Sequence, residues 1–178
     1  DGHSERMAEL GTELVDLPVD SSGSSVVQDL RLFIRYRRLV RQLRPFAFLG
    51  FTAKPNIYGS LAASSAGVRV INNITGLGTV FIKRSLLTAI VTFLYRLALR
   101  NSSTVFFQNR DDLDLFVRKG LVRAERAEVI PGDGIDLDRF RPAVSRQKGG
   151  PVRFLLIARL LWDKGVGEFV EAARCIGA

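Results

Sequence analysis

Histidine and cysteine are almost missing from this chain: its 178 residues hold one of each, His3 and Cys175. A single thiol excludes an intrachain disulfide framework and suits a reducing compartment. One imidazole excludes a multi-histidine metal site, and Ser-His-Asp or thiol catalysis lacks its partners. Long apolar runs are missing too. A membrane span needs about 18 or more apolar residues. The nearest stretch, SLLTAIVTFLYRLALR, is shorter and is interrupted by Arg96, so it reads as a mostly buried helix. No Walker-type GK[ST] occurs. GLGTVF, Gly76 to Phe81, has two glycines of a dinucleotide fingerprint and lacks the third. The opening DGHSERMAEL is polar and the only methionine, Met7, is internal. No signal peptide is visible, and the chain is expected to begin inside a longer protein.

Acidic residues are outnumbered, 18 against 26 basic, for a net charge of +8. Anionic partners are therefore favoured: nucleotide phosphates, acidic lipids, nucleic acid or acidic sugars. With 47% hydrophobic and 25% charged residues the composition is globular, enough for one domain or one and a half.

The order of elements can be read along the chain. A helix ends before Gly11, and a strand is expected near Glu13 to Leu17. Ser25 and Gln28 form a capping-box pattern ahead of VVQDLRLFIRYRRLVRQLRP, a helix that Pro45 ends. Arg31, Arg35 and Arg38 fall at i, i+4 and i+7, one basic stripe. Such a stripe is either a solvated face or a contact for an anionic membrane surface. FAFLGF has strand length without alternation, as expected of a parallel strand buried on both faces. TAKPNIYGSLAASSAG reads as a polar turn into a small-residue helix stopped by Gly67. VRVINN is a strand, ITGLGTVFIK a loop, and Ser85 to Arg100 a helix. STVFFQN is a strand, after which Asn109 caps RDDLDLFVRKG; its acidic first turn and basic last turn suit the helix dipole. AEVIP is a strand, GDGIDLDRF a tight turn, RPAVSRQKGG a basic linker, VRFLLIA a strand, and Val166 to Ile176 a helix.

Alternating strand and helix imply an α/β fold, doubly wound on a parallel sheet. In such sheets ligands bind beyond the carboxyl ends of strands. Arg159 is expected there, directly after VRFLLIA, with Lys164 on the following loop and Gly165 and Gly167 opening a helix. A helix N-terminus with two added cations suits a polyanion. Arginine grips phosphate with two parallel hydrogen bonds and lysine acts as a point charge. A surface ion pair of Arg159 with Asp163 or Glu168 is the other reading of the same residues.

Five segments, FTAKPNIYGSLAA, INNITGLGTVF, VFFQNRDDLDLF, VIPGDGIDLDRF and LLIARLLWDKGVGEFVEAA, occur in this order. Together they resemble the retaining glycosyltransferases of family 4, which have the GT-B fold, and among them the bacterial members that build lipid-linked oligosaccharides and capsular or O-antigen sugars. The resemblance spans nearly the whole chain. It implies two facing Rossmann-like domains, the first mainly for the acceptor and the second mainly for the nucleotide-sugar donor. Residues 1–141 would be the acceptor-side domain without its start, 142–150 the linker, and 151–178 the beginning of a truncated donor-side domain. Arg159, Lys164 and Gly165 would then hold the donor diphosphate. Thr52, Lys54, Asn56, Thr75, Gly76 and Gly78 are candidates for the acceptor or sugar side. Asn56 as a helix cap with Lys54 exposed is the alternative. Gly134 stands in a segment where the family usually has Asn-Gly and is expected to take a positive φ. Asp136 and Phe140 are expected to hold and pack that turn.

This chain departs from the family at two places. A histidine common near TGLG is replaced by Ile74-Thr75, which also occurs in the lipid-linked-glycan branch. The Glu-x7-Glu motif is missing because the chain stops at Ala178, as is the Gly-rich loop expected at the true start. The implied reaction moves a hexosyl or N-acetylhexosaminyl unit from a nucleoside-diphosphate sugar to the hydroxyl of a glycan or polyprenyl-linked acceptor, with retention. No metal or other cofactor is expected; Arg159 and Lys164 supply the charge. No general base or nucleophile is named by these residues. This length alone is expected to be inactive, and the location cytoplasmic, peripheral on the inner face of the plasma membrane. The rivals are a GT-B sugar-nucleotide epimerase, whose histidine and acidic residues are not evident, a basic nucleic-acid-binding module, and a non-catalytic α/β fragment. The arginines lack interleaved aromatics, so no nucleic-acid partner is expected.

Overall fold

The structure, a computed structural model, describes residues 2–19, 25–76, 86–132, 134–141 and 152–177. The chain divides into two units, 1–133 and 134–178.

In the first unit α1 (Gly2–Glu9) precedes α2 (Val26–Leu43). The strand expected at Glu13 to Leu17 does not form. Among the described residues this segment has no neighbouring strand to complete a ladder, and Leu17 packs onto the interior, beside Leu32 and Tyr36 of α2. Leu32, Tyr36 and Val40 are the buried face of α2, one turn apart. Ser25 stands at the N-cap with extended backbone, yet its hydroxyl makes no capping bond. Asp29 supplies the negative charge in that first turn instead. At the other end Arg44 is left-handed and donates its N–H to the Val40 carbonyl, and Pro45 follows.

Four parallel strands form the sheet in the order β1 (Ala47–Phe51), β2 (Arg69–Ile74), β3 (Thr104–Phe107), β4 (Ala127–Val129). Between β1 and β2 run a π-helical turn, Pro55–Gly59, and α3 (Ser60–Ser65). Helix α4 (Leu86–Leu99) joins β2 to β3, and α5 (Arg110–Arg118) joins β3 to β4. Asn109 caps α5 as its sequence implies: its side-chain oxygen accepts the Asp112 N–H at 2.8 Å. The described strands run in one direction across the sheet. Right-handed crossovers then place their helices on one face. That face carries Ile74, Val105 and Phe107 into a core shared with Leu99, Leu113 and Phe116, while Val70 packs with Val40 and Ala63. Tyr95 and Phe107 both meet Phe116 edge-on, with centroids 5.4 and 5.3 Å apart.

β1 lies at the sheet edge, so the expectation of burial on both faces fails there: Leu49 is 59% and Phe51 49% exposed. On the covered face β1 presents Gly50, and β2 presents a fully buried asparagine, Asn72. Its amide donates to Asn56 Oδ1 and Ser60 Oγ, both at 2.8 Å, and its carbonyl accepts from Ser102 Oγ at 2.6 Å. Asn56 in turn donates to the Asn73 carbonyl at 2.8 Å. Gly50 is required beside this cluster, because a Cβ there would stand 2.5 Å from Asn56 Oδ1 and 2.9 Å from Asn72 Nδ2.

In the second unit Gly134 has φ 76°, as its place in the turn implies. Asp136 accepts from the N–H groups of Asp138 and Arg139 and so holds the turn. Phe140, expected to pack, is exposed, with the Arg139 guanidinium over its ring. VRFLLIA does not form a strand: 152–157 has no regular secondary structure and is exposed, because a ladder needs a neighbouring strand and none lies beside it among the described residues. Helix α6 (Val166–Gly177) closes the unit.

Asn72→Ala is expected to destabilise the first unit by about 3 kcal/mol or more, since each orphaned buried group costs about 1–3 kcal/mol. Gly50→Ala is expected to cost about 1–3 kcal/mol by overpacking. Urea-unfolding midpoints measure both; an unchanged midpoint for Asn72→Ala would remove the network from the account of this fold.

Candidate functional site

Beyond the carboxyl end of β1 the chain turns at Thr52, whose φ of 63° is rare for a β-branched residue. The Thr52 carbonyl accepts the Asn56 N–H at 3.1 Å, which starts the π-helical turn. That turn directs alternate side chains to different tasks. Asn56, a sugar-contact candidate by sequence, is 1% exposed and its amide serves the interior network. Lys54 points to α2, where its ammonium lies 2.9 Å from Asp29 Oδ1; both side chains are mostly buried. The Tyr58 hydroxyl donates to the other oxygen, Asp29 Oδ2, at 2.8 Å. Burial, then the hydrogen bond to Asp29 and the charge of that carboxylate, push the Tyr58 pKa well above the ordinary tyrosine value.

Lys54 also borders a pocket of about 420 Å³. Its other walls are Pro18 and Val19 on one side and Gln28, Arg31, Leu32 and Arg35 of α2 on the other. By spacing, Arg31 and Arg35 belong to one outer stripe with Arg38. The structure separates them, since Arg38 does not line the pocket. Asp29 escapes sequence reasoning altogether. Its one available signal is a place in the first turn of α2; nothing local links it to Lys54, 25 positions on.

After β2, Thr75 and Gly76 are exposed, Gly76 with φ 151° and open space about its Cα. Gly78 lies outside the described residues. Thr52, Thr75 and Gly76 thus follow neighbouring parallel strands at the same end of the sheet, while Asn56 is drawn inward.

Arg159 and Lys164 lie in the second unit, on the loop ahead of α6. Both are exposed. Lys164 ends a short 3-10 turn, Trp162–Lys164, and approaches Asp163 at 3.9 Å. Arg159 has no ion pair among the described residues, with Asp163 or Glu168 or any other acid. Gly165 follows with φ 70°, the left-handed conformation that lets the turn pass into α6. The Trp162 ring lies against the start of that helix: a Cβ on Gly167 would meet it at 2.5 Å. Two uncommitted or weakly committed cations therefore precede a 12-residue helix in the chain. Among the described residues no group of three acidic, histidine or cysteine side chains could hold a metal ion, and no helix is long and apolar enough to cross a membrane.

Residues 1–133 match the family described as Glycosyl transferase 4-like domain. Over 97% of its length the chain is 24% identical to the N,N'-diacetylbacillosaminyl-diphospho-undecaprenol alpha-1,3-N-acetylgalactosaminyltransferase of Campylobacter jejuni, covering 50% of that protein. Over 85% it is 24% identical to an Escherichia coli UDP-Gal:alpha-D-GlcNAc-diphosphoundecaprenol alpha-1,3-galactosyltransferase, covering 42% of it. The chain thus spans about half the length or less of these curated relatives. MurG of Acinetobacter baumannii superposes with a TM-score of 0.47 at 13% identity, over 78% of this chain and 35% of that one.

A tyrosine whose folded pKa is raised stabilises the fold fully below the unfolded value, about 10, and loses that contribution as pH rises through the folded value. Tyr58, Tyr36 and Tyr95 all shift upward, chiefly by burial. Stability should therefore fall steeply above about pH 10, and Tyr58→Phe should make the fall shallower by up to one proton, about 1.4 kcal/mol per pH unit. Denaturation midpoints from pH 9 to about pH 11 measure it; identical slopes in the two proteins would contradict the upward shift of Tyr58, of which burial is the first cause.

Proposed function

The chain belongs to the glycosyl transferase 4-like family, and on that premise we propose that it is the acceptor-side portion, with the start of the donor-side portion, of a retaining GT-B glycosyltransferase. The reaction is transfer of a hexosyl or N-acetylhexosaminyl unit from a nucleoside-diphosphate sugar to a hydroxyl of a lipid-linked glycan precursor. The family match over residues 1–133 carries this reading. Its acceptor class is supported by two relatives whose names specify diphospho-undecaprenol-linked acceptors.

As the bond from the anomeric carbon to the leaving phosphate breaks, negative charge grows on the diphosphate. Arg159 and Lys164, on the loop ahead of α6, stabilise it without a bound metal. Gly165, with φ 70°, turns the chain into α6 at that point. Thr52, Thr75 and Gly76, at the carboxyl end of the sheet, serve the acceptor or the transferred sugar. The family's domain arrangement would make residues 142–150 the linker between the two portions.

The proposed setting is the cytoplasmic face of the plasma membrane, with peripheral attachment. A net charge of +8 favours anionic lipid. The exposed arginines of α2 and the exposed Leu86, Ile90, Phe93 and Leu97, spaced along one side of α4, suit an interfacial contact.

In the whole protein, Arg159→Ala and Lys164→Ala are each expected to lower turnover roughly 10²–10³-fold with an unchanged melting temperature. Loss of a mere surface ion pair would cost about 0–1 kcal/mol of stability and leave turnover intact. Sugar transfer and thermal stability measured in parallel decide between these outcomes. Full turnover in the Arg159 variant would end the assignment of the two cations to the donor diphosphate.

A further inference from the structure

The pocket on α2 has a charge surplus that the fold does not use. Arg31 and Arg35 stand one turn apart on its wall, and Lys54 joins them from the turn after β1. Among the described residues the one acid lining the pocket, Asp29, is committed on both oxygens, one to the Lys54 ammonium at 2.9 Å and one to the Tyr58 hydroxyl at 2.8 Å. It does not answer the arginines. Neither arginine forms an ion pair among the described residues. Gln28, in the first turn of α2, adds an amide at the helix end whose partial charge is positive. The opposite wall is apolar, from Pro18 and Val19. The pocket also adjoins the carboxyl end of β1, the end at which open α/β sheets bind ligands.

An anion with two phosphates and an apolar tail fits these walls. Two guanidinium forks one helical turn apart can each grip one phosphate, while the first carbons of a chain lie on Pro18 and Val19. We propose that this pocket is a prenyl diphosphate site, holding the diphosphate that joins lipid to sugar in the acceptor. The proposal rests on the glycosyltransferase reading for its biological ligand, though not for its chemistry. It also assigns the arginines of α2 different tasks: Arg31 and Arg35 bind the diphosphate, and Arg38, outside the pocket, does not.

The test is calorimetric titration of the 178-residue chain with geranyl diphosphate, inorganic pyrophosphate and UDP at constant ionic strength. Geranyl diphosphate should bind tightest, because only it meets the apolar wall. The Arg31→Gln/Arg35→Gln double variant should lose at least about tenfold in affinity, or 1.4 kcal/mol, with an unchanged melt, since both side chains are exposed. Arg38→Gln should bind like the parent. Equal loss in Arg38→Gln, which would signify diffuse attraction to a basic surface, overturns the proposal. So does unchanged affinity in the double variant, and so does UDP binding more tightly than geranyl diphosphate, which would assign the pocket to a nucleotide. Transfer assays on the whole protein separate this inference from the reading it rests on. Sugar transfer whose KM for a diphosphate-linked acceptor ignores the double variant would refute the site and leave the enzyme. Arginine-dependent diphosphate binding with no transfer from any nucleotide sugar would support the site and refute the enzyme.

Discussion

Asn72 is the residue on which the arrangement of the first unit depends. It sits fully buried on an interior strand of a parallel sheet, a position that normally holds valine or isoleucine. A buried amide is tolerated only when its donors and acceptor are met. Here they are met by Asn56, Ser60 and Ser102, residues from the π-helical turn, α3 and the approach to β3. The network thus ties two connections, β1 to β2 and β2 to β3, to one point on the sheet. Such a network is satisfied by one register only, which makes it a device for specificity more than for bulk stability. Gly50 and the small residues Ala62 and Ala63 belong to the same solution, since each lets α3 and its preceding turn come close to the strands.

Fixing that turn fixes the chemistry around it. Asn56 is drawn inward, so Lys54, two positions earlier, is directed along the top of α2 to Asp29. Tyr58, two positions later, reaches the same carboxylate. The turn is therefore held at Lys54, Asn56 and Tyr58, and the Asn56 N–H, bonded to the Thr52 carbonyl at 3.1 Å, ties it to Thr52 and its positive φ. An ion pair that is mostly shielded from water and hydrogen-bonded on its second oxygen is worth more as a positioning device than an exposed one. Its effect here is to occupy Asp29, the one acid lining the pocket among the described residues, and leave Arg31 and Arg35 of α2 without an acidic partner there.

Much of this was legible locally, and the rest was not for identifiable reasons. The Asn109 cap, the stop at Gly67, the turn at Gly134 and the helix from Leu86 were readable because each depends on residues within a few positions. The strand β2 was readable from VRVINN, but the reason for its two asparagines was not, because their partners lie 12 to 30 positions away. The same distance hid the link from Lys54 to Asp29 and turned Asn56 from a ligand candidate into an interior group. The arginine stripe was correctly spaced, yet spacing cannot show that Pro18 and Val19 return to enclose two of its three members.

VRFLLIA and FAFLGF make the limit plainer. Both are short apolar runs of strand length; one forms β1 and the other forms no ladder. Composition does not distinguish them. FAFLGF finds β2 in parallel register, Ala47 opposite Arg69 through Phe51 opposite Asn73, and Asn72 pins the turn beyond it through Asn56. VRFLLIA has no such neighbour among the described residues, and its apolar side chains remain in water. A strand is a relation between segments, so an apolar run states only that a partner is required. The cations that come after VRFLLIA differ in this respect. Arg159 and Lys164 are arranged by a local turn, with Gly165 left-handed and Trp162 laid on the helix start, and this geometry needs no sheet. The loop ahead of α6 can therefore take its shape before any strand beside it is paired, whereas the turn after β1 exists only because the sheet and its buried asparagine are already in place.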